Sequence, residues 1–389
     1  MPEAVIVDSV RTPIGRAFKG SLAGLRPDET AAYVLDQLLE RNPDVAPESV
    51  EDVIAGCGMP QGLQSFNVAR IAVLLSDRLP NTVTGVTVSR YCASSLEAIK
   101  LAANNVVAGQ GETYIAAGLE WVSRFNERTE PAGLADQNEK LQGNDGRPDA
   151  YISMGLTAEN VAERYEVSRS DMDKYAQRSQ ELAVQSQESG FFDREIVPVK
   201  GPDGSEVVTD DGPRASSTLE KLASLEPVFR TDGKGTVTAG NSCPLNDGAA
   251  ATLVMSREKA DELGLKPRAR IITAATAGLE PEIMGVAPIG AIRKVLDRAG
   301  MTIEDVDTVE LNEAFAAQVI PIMAECNIPL EKMNPHGGAI ALGHPFGMTG
   351  ARIMTTLING LESDDKTIGL ETMCVAGGQG EAMLVERLN

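Results

Sequence analysis

Histidine is nearly absent from this chain. Of 389 residues two are histidine, His336 and His344, and both fall within 334–350. Cysteine is sparse as well. Cys57, Cys92, Cys243, Cys326 and Cys374 are scattered and form no CxxC pair, which points away from a zinc site or a disulfide framework. Cysteines spaced in this way are small core residues or reactive thiols. No apolar run reaches membrane-spanning length, and the N-terminal MPEAVIVDSVRTP has no signal-peptide pattern. The expectation is a soluble, cytoplasmic protein. Positive charge is in short supply: 35 Lys and Arg against 56 Asp and Glu give a net charge of −21. Nucleic acid and anionic membranes need a basic face, so neither is an expected partner. An anionic ligand would need a locally basic site within that field.

What is present begins with 334–350, NPHGGAIALGHPFGMTG. Five glycines surround the short apolar run 339–342. The pattern predicts a short buried strand, a tight glycine turn carrying His344, and a helix from about Met348. A histidine on such a turn is placed for proton chemistry or is a satisfied core group.

The chain reads as a doubled α/β unit. Strands are predicted at 4–10, 49–56, 82–89 and 113–118, with helices at 29–41, 67–79 and 94–108. The same order returns with strands at 269–275, 304–311 and 366–372 and helices at 287–299, 314–325 and 351–361. Segment 381–387 resembles 249–256. Two similar halves with parallel-rich sheets follow. The stretch 120–238 is rich in charge, Asn, Gly and Pro, with helices at 157–165 and 169–189, and reads as an inserted lobe. The expected division is therefore 1–119, completed by about 239–262, then the lobe, then 263–389.

The doubling puts Cys92 and His344 at equivalent turns before helices. A thiol at a helix N-terminus is expected to have a lowered pKa. Asn312 follows the strand ending at 311, and Cys374 follows the strand ending at 372, ahead of Gly377, Gly378 and Gly380. One rim thus collects two thiols, an imidazole and an amide, which is a catalytic pattern.

Particular motifs carry a resemblance. SRYCASSLEA at 89–98, NEAF at 312–315, GGAIALGHPFGMTGAR at 337–352 and CVAGGQG at 374–380 are similar to the motifs of the thiolase family. MGLTAEN at 154–160, TAGNSCPLNDGAA at 238–250 and MGVAP at 284–288 resemble further family segments. The resemblance spans nearly the whole chain. It implies a five-layer αβαβα body of two duplicated halves with an inserted loop domain, assembled as a dimer or tetramer. It also implies a ping-pong acyl transfer between 3-ketoacyl-CoA and CoA. Cys92 would carry the acyl group, His344 would take its proton, and Asn312 would fix a water that completes an oxyanion hole. The backbone of Cys92 and of 376–377 (Ala376, Gly377) would form a second hole, and Cys374 would be the acid/base at the α-carbon. Cys243, Met154, Phe229, Ala239, Met284, Ala314 and Phe315 match positions lining the CoA channel. No metal or redox cofactor is implied, because coenzyme A is a substrate.

Other features remain open at this level. Arg214, Lys221, Arg230 and Lys234 are candidates for a phosphate-binding patch. Ser95, beside the nucleophile turn, is expected to narrow the pocket, and Trp121 stands where the family has a small residue. His336 reads as structural. Ser153 leans toward a degradative 3-ketoacyl-CoA thiolase over a biosynthetic acetyl-CoA acetyltransferase. A ketoacyl synthase would lack Cys374, and a non-catalytic acyl-CoA-binding relative would have lost Cys92, His344 or Cys374.

Overall fold

A computed structural model describes residues 2–125 and 137–389. Residues 126–136, within the stretch read as the lobe, lie outside the described residues. The first half runs β1 (Ala4–Arg11), β2 (Gly15–Arg16), α1 (Pro27–Arg41), β3 (Asp52–Cys57), α2 (Val68–Leu75), β4 (Thr84–Val88), α3 (Ser94–Val107) and β5 (Thr113–Trp121). Next come α4 (Met154–Arg164), α5 (Arg169–Glu188), β6 (Val199–Lys200), β7 (Glu206–Val207) and α6 (Leu219–Ala223). β8 (Asn246–Ser256) and α7 (Arg257–Glu262) follow. The second half has β9 (Ala269–Gly278), α8 (Pro288–Ala299), β10 (Thr308–Leu311), α9 (Ala316–Glu325), α10 (Ala339–Leu342), α11 (Thr349–Ser363), β11 (Ile368–Val375) and β12 (Gln379–Arg387).

The strand order is β10-β11-β12-β9-β1-β8-β5-β3-β4, with β2 on β8. Read outward from the β1–β9 junction, both sides follow the same sequence of elements, so the doubling is visible in the sheet. The halves join through two residue pairs, Val5 with Arg270 and Ile6 with Ala269. They are mixed rather than parallel-rich. β3–β4, β3–β5 and β10–β11 are parallel, whereas β5–β8, β1–β8, β11–β12 and β9–β12 are antiparallel. β12 enters antiparallel because a short turn at 376–378 returns the chain directly.

Three cores account for five layers. α1 and α2 pack Leu35, Leu38, Val68 and Val73 on Val53, Ile115 and Leu253 of the first half-sheet. α3 and α11 share the centre, with Leu96, Ile99, Met354 and Leu357 between Tyr114 and Val254 on one side and Met373 and Met383 on the other. α8 and α9 pack Ile292, Val295, Val319 and Ile322 on Val309, Leu370 and Leu384. Adjacent residues divide between cores with period two: Ile115 and Ala117 face outward, Tyr114 and Ala116 inward.

Two departures from the sequence reading stand out, the first of them in both halves. The polar lead-ins to β3 and β10 are single 3₁₀ turns, Pro47–Ser49 and Ile303–Asp305. Thr302 and Asp305 cap the second reciprocally, which withdraws those residues from the strand. The other departure is the run 339–342, which is a helical turn and not a strand. Ala341 and Leu342 N–H donate to Gly338 O at 3.0 and 2.8 Å. Ile340 N–H donates to the Glu313 carboxylate at 3.2 Å. With its donors taken, the run has no ladder to join. The place beside β10 that corresponds to β4 is held by one parallel bridge, Val309 with Met333.

Candidate active site

Cys92 sits in the turn Tyr91–Ala93 between β4 and α3, 8% exposed. Tyr91 before it has φ +43°, a left-handed backbone that a tyrosine adopts only under surrounding constraint. Burial pushes the Cys92 thiol well above its ordinary value, and the nearby Cys374 and Cys243 add to the shift. The Ala376 backbone N–H, donating to the sulfur, pulls the other way. The lowered pKa expected from a helix N-terminus is therefore not found: loss of water dominates.

His344 is 2% exposed and lies between α10 and α11. Its backbone N–H donates to Asn246 Oδ1 at 3.0 Å. Gly343, at φ +115°, supplies the turn, and a Cβ there would lie 2.6 Å from the Asn246 amide. Thr349 Oγ1 donates to Pro345 O at 2.8 Å. Its oxygen therefore accepts from His344 Nδ1–H at 2.7 Å. That network assigns the proton to Nδ1 and leaves the Nε2 lone pair, which Asn312 Nδ2 approaches at 3.3 Å. Burial, followed by the charge of Arg352, lowers His344 to about 3. The imidazole is neutral, and its Nε2 lone pair can take a proton once the long contact from Asn312 Nδ2 is given up.

Asn312 follows β10 directly, its N–H donating to Thr372 O at 3.0 Å. Its Oδ1 has no partner among the described residues, an acceptor left for a water or a substrate. Cys374 is the penultimate residue of β11, opposite Gly380, and not beyond the strand as expected. Burial raises its thiol to about 11, while a hydrogen bond from Gln318 Nε2 at 3.0 Å opposes the shift. Ala376 and Gly377 form the turn into β12, with Gly377 and Gly378 at φ +77° and +79°.

Cys243 joins the same thiol group; burial, then Cys374, raises it to about 12. Its N–H donates to Ala314 O at 3.0 Å, and Ser242 bridges Phe315. Phe229 meets Phe315 edge-on at 5.8 Å and lies across Gly155, where a Cβ would clash at 2.0 Å. Met154 packs at the start of α4, half-buried, whereas Met284 is fully buried core. Ala239 lines a cavity of about 280 Å³ with Arg16, Arg214, Lys221, Ser242, Ile340 and Ala341. Arg230 and Lys234 line a different pocket, and Arg230 pairs with Glu163 at 2.7 Å. They do not share the basic wall of Arg214 and Lys221.

Other expectations change. Ser95 does not narrow the pocket: its Oγ accepts from Ala351 N–H at 2.9 Å, between α3 and α11. Trp121 is buried in the α1/α2 core and donates to Leu22 O at 3.1 Å. His336 stacks on Phe191 at 3.6 Å, a structural position. The sequence reading missed Gln318, Thr349, Arg16 and two buried carboxylates. Glu120 accepts N–H bonds from Gly58 at 2.7 Å and Gly347 at 2.8 Å, tying the loop after β3 to the His344 loop. Glu313 accepts from Tyr175 at 2.8 Å, Ser179 at 2.5 Å and Asn334 at 2.8 Å, tying α5 to the segment beside Asn312. A lone acid in TYIAAGLEW and a lone amide in AAQVIPIMAE were the available signals. Among the described residues no group of His, Cys, Asp or Glu is arranged to hold a metal ion.

Cys92 and Cys374, one from each half of a duplicated five-layer fold, interact with each other, and His344 lies beside Asn312. Residues 4–258 match the thiolase N-terminal domain and 265–387 the thiolase C-terminal domain. The chain belongs to the thiolase family. It is 44% identical to the beta-ketoadipyl-CoA thiolase of Escherichia coli, each chain covered in full. It is 43% identical to the 3-ketoacyl-CoA thiolase of Saccharophagus degradans, covering 99% of this chain and 98% of that one. Among solved structures, the acetyl-CoA acetyltransferase of Bacillus anthracis superposes with a TM-score of 0.90 at 41% identity, over 100% of this chain and 99% of that one. The dimeric peroxisomal thiolase of Saccharomyces cerevisiae gives 0.92 at 37%, over 100% and 98%.

Proposed function

We propose that the protein is a degradative 3-ketoacyl-CoA thiolase of the cytoplasm, acting in fatty-acid-type β-oxidation. The observations that carry this are the interaction of Cys92 with Cys374 and the contact of Asn312 with a His344 held neutral, its Nε2 unprotonated; one site containing all four is part of the proposal. Cys92 gives its proton to His344 and attacks the 3-keto carbon. The C2–C3 bond breaks, the acyl group stays on Cys92 as a thioester, and Cys374 protonates the departing acetyl-CoA carbanion. A second CoA thiol then takes the acyl group and regenerates Cys92. Asn312 and His344 serve one oxyanion, and the Cys92 and Ala376 N–H groups, beside Gly377, the other. Proton transfers and thiol exchange suffice, so no metal or redox cofactor is required.

The cavity lined by Arg16, Arg214, Lys221 and Ala239 is assigned to the phosphates of CoA. None of its three cations has an ion pair among the described residues, in a protein whose net charge is −21. Cys243, Ala314, Phe315, Phe229, Met154 and Met284 are assigned to the pantetheine side. A homodimer is proposed through the β4 end of the sheet. Among the described residues that edge is unpaired, and Phe66, Leu74, Leu75, Val86 and Tyr91 are exposed around it, Phe66 by 88%. Val86→Lys combined with Phe66→Asp is expected to give monomers by light scattering, and an unchanged oligomer refutes that interface.

Thiolysis tests the function. The protein is supplied with CoA and either acetoacetyl-CoA or a long-chain 3-ketoacyl-CoA, and acetyl-CoA is followed by mass spectrometry. Preferred cleavage of the long substrate supports the degradative reading. Preference for acetoacetyl-CoA moves it to an acetyl-CoA acetyltransferase, and no turnover of either refutes both.

A further inference from the structure

Helix α9 is apolar apart from Gln318 and its last residue, Glu325, and Gln318 is fully buried. A buried primary amide costs free energy unless its polar atoms find partners. Gln318 Nε2 finds one, Cys374 Sγ at 3.0 Å. Among the described residues this is the one side-chain hydrogen bond to that sulfur. Gln318 Oε1 has no partner there, so the amide is not held for the sake of its carbonyl. The backbone makes room for it: a Cβ on Gly285 would lie 2.7 Å from Gln318 Oε1 and 3.0 Å from its Cβ. A glycine in one element and a polar residue in another are thus both fitted around a single contact to sulfur.

We propose that Gln318 is a positioning residue for Cys374, whose N–H donor fixes the sulfur and favours its thiolate over its thiol. The assignment rests on the thiolytic reading above. Whichever way the reaction runs, Cys374 passes a proton to or from the α-carbon and is a thiolate in between. A donor aimed at sulfur stabilises that anion where water is excluded. The direction of the Gln318 contribution, against that of burial, agrees.

The test uses Gln318→Met, similar in length and without a donor, and Gln318→Glu, isosteric and carrying a like charge. Each is made in the full chain, alone and with Cys92→Ala. In the Cys92→Ala background the readout is the pH dependence of iodoacetamide labelling at Cys374, by peptide mass mapping. The midpoint is expected to rise by about one pH unit in Gln318→Met, about tenfold less labelling at pH 8, and further in Gln318→Glu. With Cys92 present, kcat is expected to fall about tenfold while KM for the CoA ester stays within about twofold. A merely structural glutamine would lower the unfolding midpoint and leave the labelling profile where it was. An unshifted Cys374 midpoint in either folded variant overturns the proposal. The labelling needs no turnover, so failure of the parent protein to cleave any 3-ketoacyl-CoA refutes the thiolytic reading separately.

Discussion

A thiol buried beside two other thiols is a weak acid, and a buried imidazole near an arginine is a weak base. Cys92 and His344 are such a pair, one pushed up and the other lowered to about 3. In the ligand-free protein the proton stays on sulfur, and there is no standing thiolate–imidazolium pair. Labelling of Cys92 by iodoacetamide should therefore keep rising with pH through 9. A plateau near pH 6 would reveal a preformed ion pair and contradict this. The tautomer matters as much as the charge. Thr349 receives Nδ1–H at 2.7 Å and so presents Nε2 to the site. Thr349→Val is expected to lower kcat about 10- to 100-fold and Thr349→Ser to keep most of it, both measured by thiolysis. Equal activity in all three would remove Thr349 from the machinery.

At the scale of elements, one buried carboxylate gathers helix α5 and the segment beside Asn312. Glu313 holds Tyr175 and Ser179 of α5, Asn334, and Ile340 N–H. Gly338 lets that carboxylate approach, since a Cβ there would fall 2.2 Å from its carbon. Gly338→Ala should cost about 1–3 kcal/mol by overpacking and raise KM for CoA esters, as seen by urea unfolding and steady-state kinetics. Unchanged values would show that α5 is held elsewhere. This joint also explains what could be read in the sequence. Strands such as β1 and β5 and helices such as α1 and α3 declare themselves, the strands as short apolar runs and the helices by an apolar face that recurs over several turns. Cys92, Asn312, His344 and Cys374 stood out because rare groups occupied turns or strand ends. The run 339–342 was misread because Ile340 enters one core and Ala341 and Leu342 another. Four residues buried all round carry no period, and the partner that shapes them, Glu313, comes from a separate segment of the chain. Ser95 was misplaced for the same reason: the helix that receives it lies far away in sequence.

The whole molecule holds protons that its unfolded chain would release. Glu120 is raised by burial to about 7 and Glu310 to about 8, and Glu371, opposite Glu310 on β11, is raised well above its usual range. Their ordinary value is 4.5. Between that value and the raised ones the native state binds more protons than the unfolded state, so stability falls as pH rises. His344 works in the opposite sense. Its native pKa of about 3 lies below the ordinary 6.5, so the unfolded state takes up the extra proton and stability falls as pH drops through that window. The two windows overlap between about 4.5 and 6.5, where three carboxyls outweigh one imidazole, so the maximum belongs at the acid edge of that overlap. Above it each buried carboxyl contributes a slope of about 1.4 kcal/mol per pH unit until it ionises in place. Raising the pH also adds negative charge to a chain already at −21, which works in the same direction. Urea unfolding from pH 6 to 8 should show a falling free energy, and Glu310→Gln, uncharged at every pH, should flatten it. A level or rising curve in the parent protein would mean that these carboxyls are ionised in the native state, with the positive charge of Arg352 outweighing the cost of their burial.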